Sequence, residues 1–395
     1  MSLRLLVTVW ALSMWLAMPA SAAQPAAIVV GYLGESDDPL LPVGPLDEVP
    51  AREGLEGVRL GIADDATTGR FTNQRFELVE RLVPKDGDVV AAAQGLAGRG
   101  IGLVIANLDA GPLLAAADAL SATGTLLINS RAPDDALRGG ECRPDLLHTI
   151  ASRAMLADGL AQYLVWKKWT RWLLVVGRSP GDRLYADAVR RAASRFGAEI
   201  VDEKTWAFQP GNARTDTGHV ALQTEIPTFT RAADYDVLVV ADERDEFGAY
   251  LEGRTDRPRP VAGTHGLIAT AWSPVAEQWG ATQLQNRFHR QAGRWMTSRD
   301  YAGWVAARAI GEAAVRTESA DAAKISGYLR GPDFLLAAFK GQGLSFRLWD
   351  GQLREPILIV GSRLLVSISP QAAFLHRVSE LDSLGVDEEE TTCKR

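Results

Sequence analysis

Residues 101–130 read IGLVIANLDAGPLLAAADALSATGTLLINS, and this stretch decides the fold. IGLVIANLD is an apolar run of strand length that ends in polar residues. GPLLAAADALSATG follows as a helix closed by glycine, and TLLINS is a second apolar strand. Strand, helix and strand in this order form a βαβ unit, which calls for a parallel sheet covered by helices. The alternation extends upstream through AIVVGYLG (strand), EGLEGVRLGIADD (helix), RFELVERLV (strand) and DVVAAAQGLAGRG (helix).

Downstream the pattern restarts. HTIASRAMLADGLAQYLVWKKW is a helix with Met155, Leu156, Leu160, Tyr163 and Leu164 on one apolar face. RWLLVVGRS is a buried-type strand, and RLYADAVRRAASRFG a helix ended by Gly197. AEIVDEKTWAF and YDVLVVADE are further strands, and RPVAGTHG is a short strand ending in a turn. SRDYAGWVAARAIGEAAVRT is a long helix, and LSFRLWDGQLREPILIVG reads as a hairpin through Asp350-Gly351. The expectation is an α/β chain with two lobes. Residues 24–150 with about 270–340 form the first lobe, and 151–269 with about 341–395 the second.

With 395 residues, 47% of them hydrophobic, the chain has ample core for two lobes without staples. A net charge of -7 argues against nucleic acid as the main partner, though a cleft can carry the opposite sign. Residues 1–22 carry Arg4, an apolar run, Pro19 and the small-residue site Ala20-Ser21-Ala22. That is the pattern of a cleaved signal peptide, so the mature protein is expected in the periplasm. In such an oxidising compartment Cys142 and Cys393 are expected to pair, tying the acidic tail DEEETTCKR to the body. The alternative leaves Cys142 buried and unpaired.

The order of these elements, with the signal peptide, resembles the type I periplasmic solute-binding proteins, specifically the branched-chain amino-acid receptor group. The resemblance runs through IVVGYLGE, EGVRLGIADDA, IGLVIANLDAGP, TLLINSRAP, RWLLVVGRSPGDRLYADAVRRA and DYAGWVAARAIGEA, nearly the whole mature chain. It implies two α/β sandwich lobes with parallel central sheets, joined by a three-strand hinge and closing on a ligand. It also implies a permease of the ABC class in the inner membrane as partner. ECRPDLLHTIASRAMLADGLAQYLVWKKW and SELDSLGVD resemble a subgroup associated with pyrroloquinoline quinone (PQQ)-dependent alcohol dehydrogenase systems, which adds such a dehydrogenase as a possible partner.

Carrying the family's contact segments onto this chain places Asn107, Asp109, Asn129, Ser130 and Arg131 at the first lobe's face of the cleft. Arg178, Ser179, Arg183, Asp242, Glu243 and Arg244 line the second, and the turn AGTHG supplies His265. Amino-acid receptors of this group hold the ligand ammonium with a carboxylate at that turn, where this chain has His265. An ammonium needs acceptors, whereas guanidinium grips a carboxylate with two parallel hydrogen bonds. The four arginines therefore point to an anionic ligand, with Asp242 and Glu243 counting against it. Trp272 in ATAWSP could stack on a flat one. PQQ or a related aromatic acid is the favoured ligand. The competing reading pairs Arg131 with Asp134 or Asp135, and an ordinary amino-acid receptor or a sensor or chaperone for a quinoprotein remain alternatives.

Trp166, Trp169 and Trp172 are expected to pack between helix and sheet or to mark a docking face. The excess of basic residues over 151–200, nine against four acidic, reads as a solvated or docking face. GRSPG at 177–181 matches G-x-S-x-G after a strand, but Pro180 lacks the N–H that an oxyanion hole takes from the residue after the nucleophile. No catalytic role is expected, and the five scattered histidines do not have metal-site spacing.

Overall fold

The computed structural model describes residues 25–36, 50–206 and 225–394, so the expected signal peptide lies outside the described residues. β1 (Ala26–Glu35) pairs in parallel with β2 (Gln74–Val83) on one side and β3 (Leu103–Asn107) on the other. β4 (Leu126–Asn129) and β5 (Leu146–His148) extend the sheet, giving the order β2-β1-β3-β4-β5. The connecting helices are α1 (Leu55–Thr72), α2 (Val89–Ala97) and α3 (Ala110–Leu120). Every residue of β3 and β4 is buried, because helices cover both faces of a parallel sheet.

The second lobe repeats the plan. α4 (Arg153–Trp166), β6 (Arg171–Val176), α5 (Pro180–Phe196), β7 (Glu199–Thr205), β8 (Val237–Ala241), β9 (Val261–Gly263) and β10 (Leu267–Thr270) give the parallel order β7-β6-β8-β9-β10. Each sheet reverses its winding beside its first strand, between β1 and β3 and between β6 and β8. In doubly wound sheets ligands occupy the crevice at the carboxyl ends of the strands around this reversal. Both stretches of candidate residues lie at those ends.

The helix Ser298–Arg316 returns to the first lobe and packs on α1. Gly57 and Gly303 make the close approach possible, since a Cβ at either would overlap the backbone of Asp300 or Gly54. β11 (Leu336–Ala337), β12 (Gly343–Phe346) and β13 (Leu353–Arg354) form a small antiparallel sheet that contains the Asp350-Gly351 hairpin. Leu336, Leu344, Phe346 and Leu353 belong to the first lobe's core, and His148 N–H donates to the Gly351 carbonyl at 2.9 Å. The expected division near residue 341 is therefore too early, because 343–354 stay with the first lobe. The chain leaves at Glu355-Pro356, where proline interrupts strand pairing. β14 (Ile357–Val360) and β15 (Leu365–Ser369) then join the second sheet antiparallel beyond β10.

Among the described residues three crossovers thus join the lobes, at 149–152, 271–280 and 355–356. Their carbonyls have left the ladders and are met by buried side chains of the first lobe. Arg138 and Gln352 donate to the Ile150 carbonyl at 3.0 and 3.1 Å, and Lys340 donates to those of Ala271 and Pro356. Cys142 and Cys393 are bonded, with Cα atoms 5.6 Å apart, so the tail is tied to the first lobe as expected. Among the described residues no helix is long and apolar enough to cross a membrane.

Candidate ligand-binding site

The first lobe's candidates are mostly occupied by their own chain. Asn129 is fully buried, and its carbonyl oxygen accepts from the N–H groups of Arg131 and Ala132 at 3.0 and 2.9 Å. Its amide nitrogen donates to the Ala132 carbonyl and lies 3.0 Å from His148 Nδ1. Ser130 is fully buried against the Ala106 carbonyl. Asn107, at the reversal point, donates to the Tyr32 hydroxyl at 2.8 Å and the Glu53 carbonyl at 3.0 Å. These amides and the serine hydroxyl shape the strand ends.

Arg131 is buried and grips Asp109 with two parallel bonds, Nε at 2.8 Å and Nη2 at 3.0 Å. Neither Asp134 nor Asp135 is its partner in this pair. Asp135 accepts from the Ala154 N–H at the start of α4, and Asp134 faces Arg153. A carboxylate clamp at Arg131 would require an incoming acid to displace Asp109.

In the second lobe Ser179 caps α5. Its hydroxyl accepts from the Asp182 N–H at 3.1 Å, while the Asp182 carboxylate accepts from the Ser179 N–H at 2.8 Å. Asp242 is buried, and its carboxylate accepts from the N–H groups of Glu246, Phe247 and Gly248. Arg244 is exposed and pairs with Glu246 at 3.0 Å, away from any clamp geometry. Arg178 and Arg183 are exposed, with Arg178 donating to the Trp206 carbonyl at 3.0 Å. Arg178 stands just after β6 and Arg183 in the first turn of α5.

His265 sits in the turn between β9 and β10, packed on Gly248. Its Nε2 meets Asp245 at 2.7 Å and its Nδ1 meets the Thr264 hydroxyl at 3.0 Å. The hydrogen bond from this imidazole holds the Asp245 carboxyl below the usual carboxylate range. Asp245 itself has a left-handed backbone, φ 55°, and Asp242 fixes the turn that follows it. A carboxylate, Asp245, thus stands beside His265, supplied by the neighbouring loop. Atoms of Asp242, Asp245 and His265 approach within 4.8 Å, yet Asp242's oxygens are already engaged by three amides, which fits a cation poorly.

Trp272 does not wall the cleft. It is buried in the first lobe's core and stacked on Tyr301 with ring centroids 4.5 Å apart. Trp172 is likewise core, donating to the Trp169 carbonyl at 2.8 Å, whereas Trp166 is exposed beside Lys167.

One central residue was absent from the expected set. Arg153, the first residue of α4, follows the first crossover. It grips Glu243 of the second lobe at 2.8 and 2.7 Å and meets Asp134 of the first lobe at 3.2 Å. Burial raises Glu243's pKa above the carboxylate norm while Arg153 opposes the rise. A readable signal existed, because a cation in the first turn of a helix opposes the helix dipole and needs another reason to be there. Arg153 thus faces one carboxylate of each lobe.

Residues 44–225 match the family model described as periplasmic binding protein. No curated protein matches the chain. Among solved structures, a branched-chain amino-acid ABC transporter periplasmic ligand-binding protein from Burkholderia xenovorans is 15% identical with a TM-score of 0.69, covering 93% of this chain and 99% of that one. A leucine-, isoleucine-, valine-, threonine- and alanine-binding protein from Brucella ovis, in a closed conformation, is 13% identical with a TM-score of 0.69, over 94% and 99%. An ABC transporter solute-binding protein from R. palustris in complex with benzoate is 12% identical with a TM-score of 0.64, over 93% and 100%. The repeated sheets, the three crossovers and these similarities agree: the chain has the fold of the type I periplasmic binding proteins.

Proposed function

We propose that the protein is a periplasmic solute-binding component of an ABC transporter, which captures a small anionic molecule between its lobes and presents it to a membrane permease. The observation that carries this reading is Arg153, which stands after a crossover and contacts Asp134 of one lobe and Glu243 of the other. A charged ligand entering there exchanges contacts with both lobes at once, so it biases the angle between them by its differential affinity. The role is binding, since the serine of the hydrolase-like motif serves as a helix cap followed by proline.

The ligand class we favour is an aromatic acid, and PQQ is the multi-carboxylate member of that class named by the narrower sequence resemblance. Exposed Arg178 and Arg183 support a carboxylate, and a structural relative was solved with benzoate. Trp272 and Arg131 no longer support it, being engaged in the core and with Asp109. A PQQ-dependent dehydrogenase as direct partner rests on the subgroup resemblance alone. One observation favours a second reading: the Asp245 carboxylate beside His265 restores an acceptor for an amino-acid ammonium.

Calorimetric titration of protein unfolded and refolded free of ligand separates these. Benzoate or PQQ should bind, with affinity reduced at least about tenfold, about 1.4 kcal/mol, in an Arg178→Ala, Arg183→Ala double variant. Leucine binding, with both acids silent and Asp245→Asn abolishing the heat, would move the protein to the amino-acid reading.

A further inference from the structure

The strongest unexplained feature lies at the hinge. Lys340 is an ionisable side chain nearly inaccessible to solvent. Phe339 and Gly341 on either side both have left-handed backbones, φ 58° and 77°. Phe339 packs on Trp304, and Trp279 covers Gly341, so the loop 338–341 is pinned with the lysine turned inward. Residues held in sparsely populated conformations persist where the surroundings over-determine them, often at the working elements of a protein.

The ammonium lies between the second and third crossovers. It donates to the carbonyls of Ala271 and Pro356, one in each, and stands 3.5 Å from Glu355 Oε2. It also lies 4.9 Å from the centre of the Tyr301 ring, which stacks on Trp272 of the second crossover. Glu355 is fully buried, and neither carboxylate oxygen has a hydrogen-bond partner among the described residues. A buried carboxylate with one long ion contact and no donors is costly in its charged form.

We propose that Lys340 and Glu355 form a proton-sensitive lock on the hinge, holding the second and third crossovers together inside the first lobe. Any movement that separates Ala271 from Pro356 must pull at least one of these carbonyls away from the lysine and admit water to Glu355. Among the described residues, the titratable groups facing this carboxyl are Lys340 from the loop and Tyr301 from the helix Ser298–Arg316. The Tyr301 hydroxyl donates to the Ala338 carbonyl at 2.7 Å and stays neutral, its pKa raised well above the phenol norm by burial.

The direction of the response follows from burial. Burial pushes Glu355 up to about 7 against the pull of Lys340, and burial lowers the lysine. Once solvated, the carboxyl returns toward its ordinary value near 4.5. The packed hinge therefore binds a proton that the separated hinge releases. Its advantage is complete below about 4.5 and is lost as the pH rises through about 7.

Hydrogen exchange of the ligand-free protein tests this without knowing the solute, so a failure here leaves the solute-binding reading standing. Amides of Ala271, Trp272, Glu355 and Ile357 are followed as protection factors, which correct for intrinsic exchange, with α2 as internal reference. Protection at both crossovers should fall by about tenfold per pH unit between pH ~5 and ~7 and level off above, while α2 stays constant. Glu355→Gln should remove the pH dependence, and Lys340→Met should lower protection at every pH. A flat wild-type profile overturns the proposal whether or not the variants fold, and so does an unchanged slope in Glu355→Gln.

Discussion

Asn129, Ser179 and Asp242 were expected at the ligand and are found holding backbone amides or carbonyls. A polar side chain at the end of a buried strand answers two demands equally well: a ligand, or the N–H groups that the ladder leaves unpaired when the chain turns. Residue type and position cannot separate these, because the deciding quantity is where the side chain points. Charge pairing is still less legible. Arg131 finds Asp109, which lies 22 positions away. Arg153 finds Glu243 at a separation of 90, a contact that exists only once α4 and the segment after β8 have packed together. Arg153→Ala should destabilise the protein by about 1–2 kcal/mol in denaturant unfolding, because it removes the two-bond grip on the partly accessible Glu243. The same change should raise the Glu243 pKa further. A raised carboxyl contributes stability that is full at low pH and lost as the pH rises, so the deficit of the variant should shrink on acidification toward pH ~4. An equal deficit across that range would mean that Glu243 does not titrate there.

At the level of elements, the sequence was a reliable guide where a strong local pattern met no competing demand. β3, α3 and β4 fall within the opening stretch, since five consecutive buried positions read as an apolar run whichever lobe they serve. α5 starts at Pro180, three residues before the expected RLYADAVRRAASRFG, and ends at Gly197 in the left-handed conformation expected of a C-terminal glycine. Ser179→Ala should cost about 1 kcal/mol by loss of this cap. Unlabelled wild-type Ser179 after exposure to a fluorophosphonate probe would agree with a capping role; stoichiometric labelling would revive the hydrolase reading. The segment 343–357 was harder. Its hairpin was visible, but LREPILIVG reads as one continuous arm, and only tertiary packing sends Leu353 to one lobe and Ile357 to the other. Pro356 was the available sign of that break.

On the scale of the molecule, the tail is a structural strap. Cys393 is bonded to Cys142 in the first lobe, while the Gly385 carbonyl accepts from Arg191 and Arg195 of the second lobe, at 3.1 and 2.7 Å. Removing the disulfide with Cys393→Ser should lower the unfolding free energy by about 2–4 kcal/mol and expose the tail to proteolysis. The same arginines hold Asp158, which is fully buried and also accepts from the Gly385 N–H at 2.8 Å. Burial nevertheless pushes Asp158 up to about 6. Its contribution to stability is complete below its unfolded value near 3.8 and lost as the pH rises through about 6. Asp158→Asn should therefore remove some of the slope of urea-unfolding free energy between pH ~4 and ~6. The two-lobed plan was legible because the same strand order is written twice. The hinge lock was not, because Lys340 and Glu355 stand in short, non-periodic segments and acquire meaning only beside Ala271. The central claim, that an anionic solute draws the two lobes together, is most directly tested by small-angle X-ray scattering of ligand-free protein with and without saturating benzoate or PQQ. The account predicts a smaller radius of gyration with ligand, lost in the Arg178→Ala, Arg183→Ala double variant. An unchanged radius under conditions where calorimetry records saturation would contradict it.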